Sequence, residues 1–142
     1  MTVLVSICVV AALSTSALAN GNKLSFTTGR FIVTCTSTGQ VCRPAEPLTF
    51  KLPRRGALTS VTYTTAKTHC SAIRVSVRLK GKTVAKLPRL DAGDATASVN
   101  PDVKLKKGTT TLGFRAKGFT GGCNAGQLGS WGGKITIKVK LD

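Results

Sequence analysis

Residues 70–80 read Cys-Ser-Ala-Ile-Arg-Val-Ser-Val-Arg-Leu-Lys, and from Ile73 onward the lettering alternates. Ile73, Val75, Val77 and Leu79 interleave with Arg74, Ser76, Arg78 and Lys80. A period of two sends the first set to one face of an extended strand and the second to the other, whereas a helix would scatter both sets around its axis. The apolar set is mostly β-branched, which suits a pleated, half-buried surface. The strand therefore needs a partner layer over its apolar face and leaves a cationic face outside.

The same lettering recurs along the chain. Leu48, Phe50 and Leu52 alternate with Thr49 and Lys51, and Val61 and Tyr63 with Thr62 and Thr64. Thr110, Leu112, Phe114 and Ala116 oppose Thr111, Gly113, Arg115 and Lys117, and residues 134–141 set Ile135, Ile137, Val139 and Leu141 against Lys134, Thr136, Lys138 and Lys140. Residues 24–34 are a further β-rich run, interrupted at Gly29-Arg30. Residues 96–100 are a short edge candidate, because Pro101 cannot donate to a ladder, and residues 103–105 resume it past a kink. Lys80-Gly81-Lys82 marks a tight hairpin into 83–87. No stretch carries a helical period. About eight strands with frequent turn signals predict an all-β chain, an antiparallel β-sandwich that is immunoglobulin-like or jelly-roll-like. The immunoglobulin pattern of a tryptophan between two distant cysteines is missing, since Trp131 follows the last cysteine, Cys123.

The N-terminus reads differently. Residues 2–19 carry no charged side chain, residues 3–13 are almost continuously apolar, and Ala17-Leu18-Ala19 is a small-residue cleavage pattern. The run is shorter than the ~20 apolar residues a membrane span needs. The expected organisation is a signal peptide over 1–19, cleaved after Ala19, and one β-sandwich domain over 20–142. Four cysteines then remain, Cys35, Cys42, Cys70 and Cys123, and an even count in a small exported chain predicts two disulfides in an oxidising compartment. Of the three pairings, Cys35–Cys42 with Cys70–Cys123 is favoured, one bridge closing a short loop and the other tying distant strands. The protein is accordingly expected to be secreted, or periplasmic or in the cell envelope.

Catalytic and metal chemistry find little to work with. The five acids are Glu46, Asp91, Asp94, Asp102 and Asp142, and Asp91 and Asp94 share one turn, where their role is to cap backbone amides. His69 is the lone histidine, no paired C-x2-C spacing exists for zinc, and no Gly-x-Ser-x-Gly elbow occurs. The glycines of 118–133 do not lead from a strand into a helix, so they are not a phosphate cradle. The chain is read as a non-enzyme with no cofactor and no metal.

Charge is where the sequence speaks most clearly about partners. Twenty-one lysines and arginines face five acids, a formal +16, and the cations are spread over the strands rather than gathered in a tail. With 42% apolar residues the chain holds enough material for a core, which argues against disorder. Arg74, Arg78 and Lys80, Lys134, Lys138 and Lys140, and Arg115 and Lys117 all alternate away from core positions. If those strands share a sheet, their charges form one surface suited to an anionic polysaccharide or another polyanion, an acidic protein, or an anionic membrane surface, with no transmembrane segment. Nucleic acid is the weaker partner, because aromatic residues for base stacking are scarce. In the glycine-rich segment 118–133, Trp131 with Asn124 and Gln127 offers a stacking plane and amide groups for a sugar. Equally, Trp131 reads as a plug for the end of the sandwich.

The turn Leu105-x-x-Gly108 followed by the strand Thr109-x-x-Leu112-x-Phe114-x-Ala116-x-Gly118 resembles exported sandwich modules that bind carbohydrate. The resemblance is one of fold. The expected function is a secreted, non-catalytic binding module for an anionic extracellular or cell-envelope glycan. Arg74, Arg78, Lys138, Lys140, Trp131, Asn124 and Gln127 are its candidate contacts. The alternative is a structural or protein–protein module, an envelope component or a secreted inhibitor.

Overall fold

The computed structural model describes residues 17–29, 31–34, 41–42, 46–66, 71–119 and 130–142. Their regular structure is entirely β, in twelve strand segments: β1 (Ala17–Asn20), β2 (Lys23–Thr27), β3 (Phe31–Thr34), β4 (Val41–Cys42), β5 (Leu48–Leu52), β6 (Gly56–Thr65), β7 (Ile73–Leu79), β8 (Lys82–Lys86), β9 (Thr96–Val99), β10 (Val103–Leu105), β11 (Gly108–Gly118) and β12 (Ser130–Leu141). All ladders are antiparallel. They make a seven-stranded and a five-stranded sheet.

Several segments lie end to end against one neighbour. β2 and β3 both pair with β12, β9 and β10 both pair with β6, and β4 and β5 both pair with β11. Merged, the sheets have five and four rows, in the order β1, β2/β3, β12, β6, β9/β10 and β4/β5, β11, β7, β8. This explains why the segments outnumber the roughly eight strands expected. One row breaks between the end of β2 at Thr27 and the start of β3 at Phe31, another at Pro101-Asp102, and Asp102 takes the left-handed backbone (φ 46°) that aspartate tolerates. The pairing is nested. Setting β1 aside, the first row pairs with the last, the second with the seventh, the third with the sixth, and the fourth with the fifth. The innermost pair is the β7–β8 hairpin, closed by Lys80 and Gly81, both at positive φ (49° and 81°), as a two-residue hairpin turn requires.

The alternation read from the sequence decides what is buried. β5 is inward at Leu48, Phe50 and Leu52, β7 at Ile73, Val75 and Val77, and β12 at Ile135, Ile137, Val139 and Leu141. These residues join one hydrophobic cluster between the two sheets. Phe26 of β2 stacks on Phe50 of β5 across that gap, with ring centroids 4.4 Å apart. Each large apolar side chain sealed there contributes roughly 1.5–3 kcal/mol relative to exposure. Tyr63, fully buried, is the largest of them.

One stretch departs from its reading. The glycine-rich connection is shorter than expected, because Ser130 to Gly133 already belong to β12 and pair with β3. Gly133 serves packing. A Cβ there would stand 2.9 Å from two Tyr63 ring carbons and closer still to the Thr64 carbonyl oxygen. The expected cleavage point after Ala19 falls inside β1, whose partner β2 also pairs with β12 on its other side. Cys35, Cys70 and Cys123 lie outside the described residues, and Cys42 is placed by its backbone in β4, opposite Ala116.

Candidate cationic groove on the five-stranded sheet

β7 and β11 are neighbours, so their outward positions meet. Lys117 stands directly opposite Arg74, Arg115 opposite Ser76, and Gly113 opposite Arg78. Lys117 and Arg74 are exposed, whereas Arg115 and Arg78 are half-buried. A like-charge pair facing across a ladder costs a few tenths of a kcal/mol, and here no acidic residue interrupts it. All five acids of the chain lie outside the strands, at Glu46, Asp91, Asp94, Asp102 and Asp142.

The ladder between β11 and β7 stops at the Leu112–Leu79 pair, while β11 runs on to Gly108 with β5 on its other flank. The open side at Thr109, Thr110 and Thr111 is bounded by the β7–β8 turn and by Lys104 and Leu105 of β10 with Lys106 after them. The result is an open groove of about 730 Å³. Its cations are Arg78, Lys80, Lys104, Lys106 and Arg115, and no carboxylate lines it. Gly113 forms part of the lining, and a Cβ built there would meet nothing within 4 Å, so the glycine leaves a gap between the two arginines.

Neither arginine is paired with a carboxylate in the groove. Arg78 donates through Nη2 to the Gly81 carbonyl, which ties its guanidinium to the hairpin turn. The Nε atoms of both Arg78 and Arg115 are buried without a hydrogen-bond partner. An unmade hydrogen bond at a buried charged donor is costly, of order 1–3 kcal/mol or more. The opposite end of the sheet differs. There Arg89 lies over the Phe119 ring at 4.6 Å and Lys117 at 5.5 Å, and Arg89 also pairs with Asp91 at 2.7 Å. In that turn Asp94 accepts from the Asp91 amide at 2.7 Å, the capping role read from the sequence. Positive charge is thus partly answered beside Phe119 and unanswered in the groove.

The candidate residues divide accordingly. Arg74 and Arg78 share one outer face with Arg115 and Lys117. Lys138 and Lys140 do not join them: β12 belongs to the seven-stranded sheet, so these exposed lysines point from the far side of the core. The expectation of one shared cationic surface is corrected on this point. Alternation fixes which residues face out from a strand, but the nested pairing decides from which sheet. The backbone of Trp131 lies in β12 opposite Val33, in the seven-stranded sheet, and Trp131 is not part of the groove lining. Asn124, Gln127 and His69 lie outside the described residues. The groove also takes in Lys104, Lys106 and Gly113, which the sequence reading did not single out. A glycine at an outward position between Leu112 and Phe114 was the available signal. Among the described residues no group of three or more histidine, cysteine or carboxylate side chains is placed to hold a metal ion.

No family model matches the chain, and neither does any curated protein. Solved structures with a similar arrangement include a VP2 subviral particle of infectious bursal disease virus (13% identity, TM-score 0.47), covering 98% of this chain and 37% of that one. A low-affinity xylan-binding module, CBM86, from Roseburia intestinalis is similar at 11% identity and TM-score 0.43, covering 92% of this chain and 87% of that one. The GH26-CBM35 β-(1,4)-mannanase of Podospora anserina is similar at 15% identity and TM-score 0.45, covering 87% of this chain and 29% of that one. The chain thus spans about a third of the virus-particle chain. At these scores none of the likenesses bears on what this chain binds.

Proposed function

We propose that the chain is an exported, non-catalytic binding module that holds an anionic extracellular or cell-envelope glycan in the groove of the five-stranded sheet. The observation that carries this reading is the groove itself, five cations and no acid around a gap at Gly113. A guanidinium fork suits carboxylate and sulfate groups, because its donors are coplanar and match two oxygens at once. Thr109 and Thr111 bring hydroxyls to the same lining, suited to sugar hydroxyls. Lys80, Lys104 and Lys106 add longer-range attraction toward a charged chain.

Two further parts belong to this reading. The nested pairing supports the jelly-roll type of sandwich over the immunoglobulin type. Export follows from the apolar leader of 1–19, and two disulfides from the four remaining cysteines.

The test is binding of oligogalacturonate, with a neutral xylo-oligosaccharide of the same length as control, to the wild type and to Gly113→Phe. A Cβ at Gly113 meets nothing within 4 Å, so the variant is predicted to keep the wild-type urea midpoint while its ring fills the gap. The proposal predicts a clear preference for the acidic oligosaccharide and at least a tenfold loss of its affinity in the variant. Equal binding of both sugars, or a variant that binds oligogalacturonate as the wild type does, overturns it.

A further inference from the structure

The division of cations between two sheets leaves a second surface. On the outer face of the seven-stranded sheet, Lys140 stands directly opposite Lys23, and Lys138 lies between Ser25 and Ser60. All three lysines are exposed. No strand carries an acid, so this face, like the other, is cationic without relief. Each sheet thus presents one directly opposed like-charge pair, Arg74–Lys117 on one side and Lys23–Lys140 on the other. Beside the lysines, Thr27, Thr136, Thr62 and Ser98 stand in register across four rows. Their hydroxyls pair at 2.9 Å (Thr27–Thr136) and 2.8 Å (Thr62–Ser98), which places two hydroxyl pairs side by side on this face. Arg78 and Arg115 of the groove look away from Lys23, Lys138 and Lys140, because the Phe26–Phe50 stack and the rest of the core lie between the two sheets, while Lys104 of β10 at the groove's rim belongs to the seven-stranded sheet.

We infer that the protein has two anionic-polysaccharide surfaces on opposite sides, the groove and the lysine–hydroxyl face, and that it bridges two acidic polysaccharide chains. The partner is fixed by charge complementarity with the lysines and by hydroxyl partners for the sugar edge. The inference rests on the anionic-glycan reading of the groove. Sheets stacked ~10 Å apart, with side chains beyond them, separate Arg78 and Arg115 from the three lysines by the thickness of the sandwich. A short oligosaccharide therefore occupies one face at a time, and only separate chains, or distant parts of a long one, engage both.

The test uses hexameric oligogalacturonate for stoichiometry by calorimetry and long polygalacturonate for cross-linking by light scattering. The wild type is predicted to bind two hexamers, and its scattering with the polymer to rise and then fall as polymer passes into excess. Lys23→Gln/Lys138→Gln/Lys140→Gln is predicted to bind one hexamer and to bind the polymer without the scattering maximum. A control that removes the same charge from turns, Arg54→Gln/Arg55→Gln/Lys107→Gln, is predicted to keep both stoichiometry and scattering. One hexamer per wild-type molecule with no scattering overturns the bridge and leaves the groove reading standing. A scattering maximum that survives the lysine substitutions, or that the control loses equally, overturns the bridge as well. Failure of the wild type to bind either ligand overturns the groove reading together with the bridge.

Discussion

Two glycines show how differently the same residue type is used. Gly133 sits where a Cβ would press on the Tyr63 ring and the Thr64 carbonyl, both fixed by the core. Gly133→Ala is therefore predicted to lower stability by roughly 1–3 kcal/mol, the range for overpacking, read as a lower urea midpoint with unchanged slope. Gly113 faces open space, and a side chain there leaves the urea midpoint unchanged or raises it, since glycine weakens a strand. Gly113 lies in an alternating stretch of the sequence and Gly133 at the end of the glycine-rich segment, and neither setting tells what a Cβ would meet. The difference comes from what each Cβ would meet, open space beside Arg78 for one and the Tyr63 ring and Thr64 carbonyl for the other. Tyr63 makes a pH prediction possible. Burial holds its phenol protonated up to about 12, against about 10 in an unfolded chain. Below pH ~10 both states keep the proton and this group adds no pH dependence. Between about 10 and 12 only the unfolded chain releases it, so stability falls as pH rises, by up to about 3 kcal/mol. Tyr63 is the only tyrosine, so tyrosinate absorbance follows it directly. Ionisation of the folded protein near pH 10, or a Tyr63→Phe variant with the same alkaline loss, contradicts this.

At the scale of elements, inside and outside were legible. β5, β7, β11 and β12 bury the residues their period-two lettering assigns inward, because burying one face of a pleated strand leaves no other choice. Sheet membership was not legible. Arg78 and Lys138 carry the same local signal, an outward cation between apolar neighbours, yet the nested pairing sends β7 and β12 to opposite sheets. The groove was hidden for the same reason. It exists because β7 ends at Leu79 while β11 continues to Gly108, and the length of one strand against another is a property of register. Register also bears on the cysteines. Ile73 and Gly118 stand opposite each other, so the segments leading to Cys70 and Cys123 leave from adjacent strand ends. Non-reducing peptide mapping is predicted to recover Cys70 linked to Cys123 and Cys35 linked to Cys42, and recovery of Cys35–Cys70 contradicts that pairing.

Over the whole molecule, a formal +16 is distributed with a simple rule: cations on strands and turns, acids only in connections. Such a charge repels itself, and no buried ion pair among the described residues offsets it. The exposed Arg89–Asp91 pair contributes at most about 1 kcal/mol. The fold can carry this load because its stability comes from the apolar core between the sheets, leaving the outer faces free to be cationic. Anions that bind should then stabilise the protein, most of all at low salt, where exposed charges interact over more than ~10 Å. The central claim is that Arg78 and Arg115 meet the anionic groups of a glycan. It is tested most directly by the salt dependence of oligogalacturonate affinity, wild type against Arg78→Gln/Arg115→Gln. Each lost cation–anion contact removes roughly one from the slope of log affinity against log salt, by analogy with counterion release from charged polymers. The account predicts a slope shallower by about two in the double variant, with weaker binding at every salt concentration. A slope and an affinity that match the wild type would contradict it.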